Sequence, residues 1–268
     1  MINSLTMPGK SALWRSTFAA AAVAIALTGV NRPAFAQAAT APERLSWQGD
    51  PSAPKLSGVW VRADTPVKAT MAPGSVEGWL PWPPPLKAPF EAVWKKRVAE
   101  AAEGKRTDDP VRACMPPGMP RFMSGTHGPL LIIQTPGRIT LYRDGDPVRR
   151  IWLDASVLPK PADLENFSNG NAIGRYEGAD LVSEIVGIRD QPIDSTGVPH
   201  SDALKIVERF HRVDAKTLKV VITLTDATAY TEPMTTTVIY KALNAPLWTP
   251  KEFICTPVTN YHPDVYVH

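Results

Sequence analysis

Leu204–Thr225 reads LKIVERFHRVDAKTLKVVITLT, and its pattern decides the fold. Leu204 to Val213 and Leu218 to Thr225 are rich in apolar and β-branched residues and flank Asp214-Ala215-Lys216, a hairpin turn signal. At a period of two, Leu204, Ile206, Glu208, Phe210 and Arg212 share one face of the first strand. Lys205, Val207, Arg209, His211 and Val213 share the other. The first face carries three large apolar residues and is expected to point inward, with Glu208 among them.

The same texture extends in both directions. Leu56 to Val61 is a first strand, and Leu130 to Gln134 pairs with Arg138 to Tyr142 across Pro136-Gly137. Asp144-Gly145 leads into Val148 to Asp154; Ile173 to Tyr176 turns at Glu177-Gly178 into Leu181 to Ile188. Met234 to Lys241 and Glu252 to Cys255 complete the series. Strands linked by hairpins, with one helix among them, point away from a parallel α/β sheet. About nine or ten antiparallel strands in one up-and-down sheet should curl and close into a calycin-like or lipocalin-like barrel or half-barrel.

Between the first strand and Leu130 the chain is different. Residues 66–89 are proline-rich, including Trp82-Pro83-Pro84-Pro85, and predict an extended wrap pinned to the body by Trp79 and Trp82. Pro89 opens an amphipathic helix over 89–103, ended by Gly104. Phe90, Val93, Trp94, Val98 and Ala101 fall on its apolar face. No repeat or domain-sized linker interrupts 56–268, which predicts one domain.

Lys10 and Arg15 precede an uncharged stretch from Ser16 to Asn31 built largely of Ala, Val, Ile and Leu, followed by Ala34-Phe35-Ala36. A basic start, a short apolar middle and a small-x-small site predict a secretory signal peptide over 1–36 rather than a membrane anchor. A lone Arg15 favours Sec-type export over the twin-arginine route. Residues 37–55 read as a flexible lead-in. The expected location is the bacterial periplasm or outside the cell, with no stable membrane insertion after cleavage. The net charge of +3 comes from the leader, whose removal leaves 26 bases against 26 acids. That balance gives no electrostatic footprint for nucleic acid. An oxidising compartment makes the only two cysteines, Cys114 and Cys255, a disulfide pair, with two inert buried thiols as the alternative.

Several segments resemble a family of exported, largely uncharacterised bacterial proteins found in proteobacteria and acidobacteria. They are Cys114-Met115-Pro116-Pro117-Gly118-Met119-Pro120-Arg121, Ile173-Gly174-Arg175-Tyr176-Glu177-Gly178, Pro199-His200-Ser201-Asp202-Ala203-Leu204 through Val207-Glu208-Arg209, Asp226-Ala227-Thr228-Ala229-Tyr230-Thr231-Glu232-Pro233 and the late Cys255. The resemblance implies export and a β-rich domain, and no activity. In that family a polar residue such as His or Tyr and then Ser precede the Ile-Gly-Arg segment; here Asn171 and Ala172 stand there.

Signatures of nucleotide, zinc-protease or serine-hydrolase chemistry are absent, so neither a cofactor nor a metal is expected. His262 and His268 lie in a polar tail, and His211 reads as a surface side chain. The candidate catalytic set is Glu208, His200, Asp202 and Arg209, with Leu204, Ile206 and Phe210 as ligand-binding walls. A carboxyl among apolar side chains has its pKa raised by desolvation, which suits a general acid or base at neutral pH. His200 would assist at the barrel mouth, and Arg209 would stabilise negative charge if it turned inward. The structural alternative pairs Glu208 with Arg150 or Arg175 on a neighbouring strand and uses His200 with Asp202 to order a turn. The expected function is binding, or cofactor-independent lyase, isomerase or hydratase chemistry, on a small, largely apolar molecule. A carrier without chemistry, or an envelope interaction module using the surface from Trp79 to Phe90, are the alternatives.

Overall fold

Nine strands close into a barrel in chain order. They are β1 (Gly58–Arg62), β2 (Leu130–Thr135), β3 (Arg138–Arg143), β4 (Arg149–Trp152), β5 (Asn171–Glu177), β6 (Asp180–Val186), β7 (Lys205–Asp214), β8 (Thr217–Thr225) and β9 (Met234–Ala242). The computed structural model describes residues 53–63, 80–105, 108–124, 128–153, 163, 165–244 and 248. All of them lie in the unit Arg44–His268. The signal segment, most of the lead-in, Trp79, the strand expected at Glu252 to Cys255 and the C-terminal histidines lie outside the described residues.

The mainly β barrel with one helix is the expected architecture, with one difference. Strands that alternate in direction can close a ring only when their number is even. Nine strands therefore require one seam where neighbours run the same way. That seam is β4–β5, whose pairing is parallel and short, Ile151 with Ala172 and Trp152 with Ile173. All other neighbours are antiparallel, including β1 with β9, which closes the ring at Trp60–Ala242 through Arg62–Tyr240. A parallel pair needs a crossover of about a dozen residues or more, and residues 153–170 supply it.

Alternation sets the interior. Ile206, Glu208 and Phe210 of β7 are buried, while Arg209 and His211, on the alternate positions, are exposed, as the period-two pattern predicts. Leu218, Val220, Ile222 and Leu224 of β8 repeat the pattern. A bulge between Arg212 and Asp214 shifts the register only beyond Arg212, which still stands opposite the inward Leu218 at the end of the barrel. Its guanidinium lies over Trp60, 5.4 Å from the ring centroid, and donates to the Lys55 and Ala215 carbonyls.

Both ends of the barrel are covered by apolar side chains. At the hairpin end, Leu56 is fully buried, and Gln134 holds the chain there through the Leu56 and Ser57 amides and the Pro54 carbonyl. At the opposite end a single 3-10 turn, Arg121–Ser124, is buried along its whole length, with Tyr240 donating to the Met123 carbonyl. The helix α1 (Ala88–Ala102) lies at this end too, expected one residue later at each boundary. Lys87 N–H donates to the Ala229 carbonyl in the β8–β9 loop, and Arg97 to the Gly197 carbonyl in the β6–β7 loop. Trp94 is buried edge-on against Trp82, with ring centroids 4.8 Å apart. Val93 and Ala101, expected on the buried face, are exposed. The covered stripe is narrower than the apolar pattern because Arg97, bonded to Gly197 and Asp108, occupies part of it.

Candidate functional site

Glu208 is fully buried, as its neighbours Leu204, Ile206 and Phe210 imply, but it is not free. Arg149 on β4 reaches across the interior and grips the carboxylate with both terminal nitrogens, Nη1 donating to Oε1 at 3.0 Å and Nη2 donating to Oε2. The guanidinium is itself 1% exposed, so the two charges are shielded from water together. The partner is neither of the arginines expected. Arg150, next along β4, points outward by alternation, and Arg175 is exposed and paired with Glu177 and Glu184. Opposite Glu208 on β6 stands Ser183, whose buried hydroxyl has no partner.

The remaining members of the expected catalytic set are not brought to Glu208. Arg209 faces solvent and pairs with Glu177 and Asp180, at 2.6 and 2.9 Å. Hydrogen bonds from Arg209 and then Arg175 hold the Glu177 carboxyl below the ordinary range. Asp180 is lowered as well: burial pushes it up, but hydrogen bonds from Arg209 and His211 outweigh that. Glu184, bonded by Lys205 and Arg175, completes a charged ladder on the outer face of β5–β7. His211 sits exposed in this ladder.

Asp202 is exposed, and the turn after Pro199 is ordered by Asp226 instead. Asp226 accepts from the Ser201 amide and hydroxyl and from the Thr228 and Ala229 amides, at 2.7 to 3.0 Å. Burial pushes its carboxyl up, yet those bonds, led by the Ser201 amide, set it below the usual value. Nearby Tyr230 is pushed well above its ordinary value by burial, then by the charges of Asp226 and Asp194. His200 is buried with both ring nitrogens on backbone carbonyls, Nδ1 to Ser201 at 2.8 Å and Nε2 to Arg189 at 3.2 Å. Among the described residues no three His, Cys, Asp or Glu side chains stand together as a metal site needs.

A different site forms at the parallel seam. A cleft of about 570 Å³ is lined by Pro147, Val148, Arg149, Arg150 and Trp152 around β4, by Phe167 to Gly170 of the crossover, by Asn171, Ala172 and Ile173 of β5, and by Pro116 and Arg189. Its walls include side chains from both faces of the sheet, inward Arg149 and Ala172 and outward Arg150 and Trp152. The cleft is therefore a notch at the seam rather than the lumen. Trp152 and Phe167 are each 43% exposed and Val148 37%, so three large apolar side chains face solvent at one place.

Local sequence explains the notch. With only two paired positions, β4 and β5 are joined over a short length. Gly174 allows them to approach: a Cβ there would stand 2.6 Å from Ile151 Cγ2. Pro116 enters the lining from the Cys114–Arg121 segment, which is pinned by Gln191 Nε2 to the Pro117 carbonyl at 2.8 Å and by the Met119 amide to the Ser168 carbonyl at 2.8 Å. Gly118, at φ +70°, has no room for a side chain, since a Cβ would lie 2.5 Å from the Ser168 oxygen. Three of the motif segments quoted above thus converge, through Pro116, Ile173 and the His200–Arg189 link. Asn171 and Ala172 are in the lining. Periodicity could not locate this cleft, because strand patterns say which face a residue is on and not where a ring must close. No family model, curated protein or solved structure matches this chain.

Proposed function

We propose that this chain is an exported binding protein for a small, largely apolar molecule, held in the cleft at the β4–β5 seam. The observation that carries this reading is the cluster of Trp152, Phe167 and Val148, exposed together around a volume of about 570 Å³. Ligand sites of that size, walled by apolar groups with a few polar ones, are the usual form of small-molecule recognition. Binding without chemistry fits the interior better than proton transfer does. Glu208 has both carboxylate oxygens engaged by Arg149, while Arg209 and Asp202 face water. Export through a Sec-type signal belongs to the same reading and rests on the Lys10 to Ala36 pattern. The charged ladder on the outer face of β5–β7 fits an aqueous setting, since a barrel in lipid carries an apolar band there.

The test uses the neutral fluorescent probe N-phenyl-1-naphthylamine with the full chain. Saturable binding is expected, weakened tenfold or more by Trp152→Ala together with Phe167→Ala. Both side chains are half-exposed, so the variant should keep its fold. No saturable binding, or binding indifferent to the two substitutions, would refute the proposal.

A further inference from the structure

We infer that the ligand of the seam cleft is an organic carboxylate carried on an apolar body, with Arg189 and Arg150 as its anchors; this rests on the binding reading above. The basis is charge. Among the described residues Arg149, Arg150 and Arg189 line the cleft, and no Asp or Glu does. Glu208 neutralises Arg149 alone. Arg150 and the half-buried Arg189 make no ion pair among the described residues. Arg138 is not in the lining but stands next to it, its guanidinium 5.6 Å from the Trp152 ring centroid and its buried Nε without a partner.

Like charges gathered beside low-dielectric walls repel one another and raise the local attraction for an anion. A carboxylate suits them because a guanidinium presents two parallel N–H donors that match its two oxygens. Trp152, Phe167 and Val148 would take the apolar body. The neutral polar groups are compatible with this polarity. Asn169 spends its Nδ2 on the Pro147 carbonyl at 3.2 Å, leaving a buried Oδ1 unpaired, a place for one ligand O–H or N–H.

Arg189 is also held in place from behind. Its carbonyl meets His200 Nε2, and its amide donates to the Phe167 carbonyl at 2.9 Å, tying the anchor to the apolar wall. The backbone thus joins the residue that carries the charge to the apolar wall.

The experiment is displacement of N-phenyl-1-naphthylamine by matched pairs, butanoate, benzoate and 2-naphthoate, each against its own amide. The expected result is that, in at least one pair, the carboxylate competes tenfold or more better than the amide at low salt. Arg189→Gln and, separately, the exposed Arg150→Gln should bring that ratio towards one, with an unfolding transition retained. Equal competition by acid and amide in every pair overturns the anion inference and leaves the binding reading standing. A ratio that survives both substitutions overturns the assignment of the anchors. Absence of saturable probe binding to the unaltered protein refutes the binding reading itself, and the inference with it.

Discussion

Replacing Glu208 with glutamine would test the interior more sharply than any other single change. Glu208 and Arg149 are 0% and 1% exposed, and both carboxylate oxygens take guanidinium donors. Gln keeps the shape but removes the charge and turns one acceptor into an N–H donor facing Arg149. Leaving a buried charge without its partner costs about 3 to 5 kcal/mol. In a domain of this size each kcal/mol moves the melting temperature by about 2 to 4 °C, so a fall of about 6 to 20 °C is expected. The assay is thermal unfolding followed by circular dichroism, with urea titration to show that the slope is unchanged. The double variant Arg149→Met with Glu208→Leu removes both charges and should regain most of the loss, since buried pairs replaced by apolar groups are often neutral or better. The coupling follows from the double-mutant cycle. A single variant melting within about 2 °C of the unaltered protein, or a double variant no better than the single one, would refute the pairing.

Three further outcomes are expected. Asp226→Asn should cost about 2 to 3 kcal/mol near neutral pH, because four donors converge on the charged carboxylate. Its pKa is lowered on folding, so that stabilisation is present above the ordinary carboxyl value and is lost as pH falls through the lower folded value; melting curves of the two proteins should converge in acid and stay apart at pH 7. Trp94→Ala should cost about 3 to 5 kcal/mol in urea unfolding, whereas Trp94→Phe should cost clearly less, keeping a ring against Trp82 and removing a buried, unpaired Nε1–H. Cys114 and Cys255, the second outside the described residues, should be recovered as one disulfide-linked peptide in non-reducing mapping of exported protein, and two free thiols would contradict that.

Much of this molecule was legible in the residues themselves. Alternation along Leu204–Thr225 placed Ile206, Glu208 and Phe210 inside and Arg209 and His211 outside, because side chains on a strand alternate whatever the strand is paired with. Turn residues at Pro136-Gly137 and Glu177-Gly178 marked hairpins, since their backbone angles are local properties, and Pro89 and Gly104 bounded the helix for the same reason. What lay beyond sequence was every fact that depends on closure. The partner of Glu208 is Arg149, three strands away around the wall, rather than an arginine on an adjoining strand, because the ring brings β4 and β7 across one interior. Asp226, not Asp202, orders the turn beside His200, because two distant loops meet at one end of the barrel. The cleft exists because nine alternating strands must meet in parallel once, and the notch opens at that one seam. Local chemistry decided which way each side chain points; the count of strands and the closing of the ring decided which side chains meet.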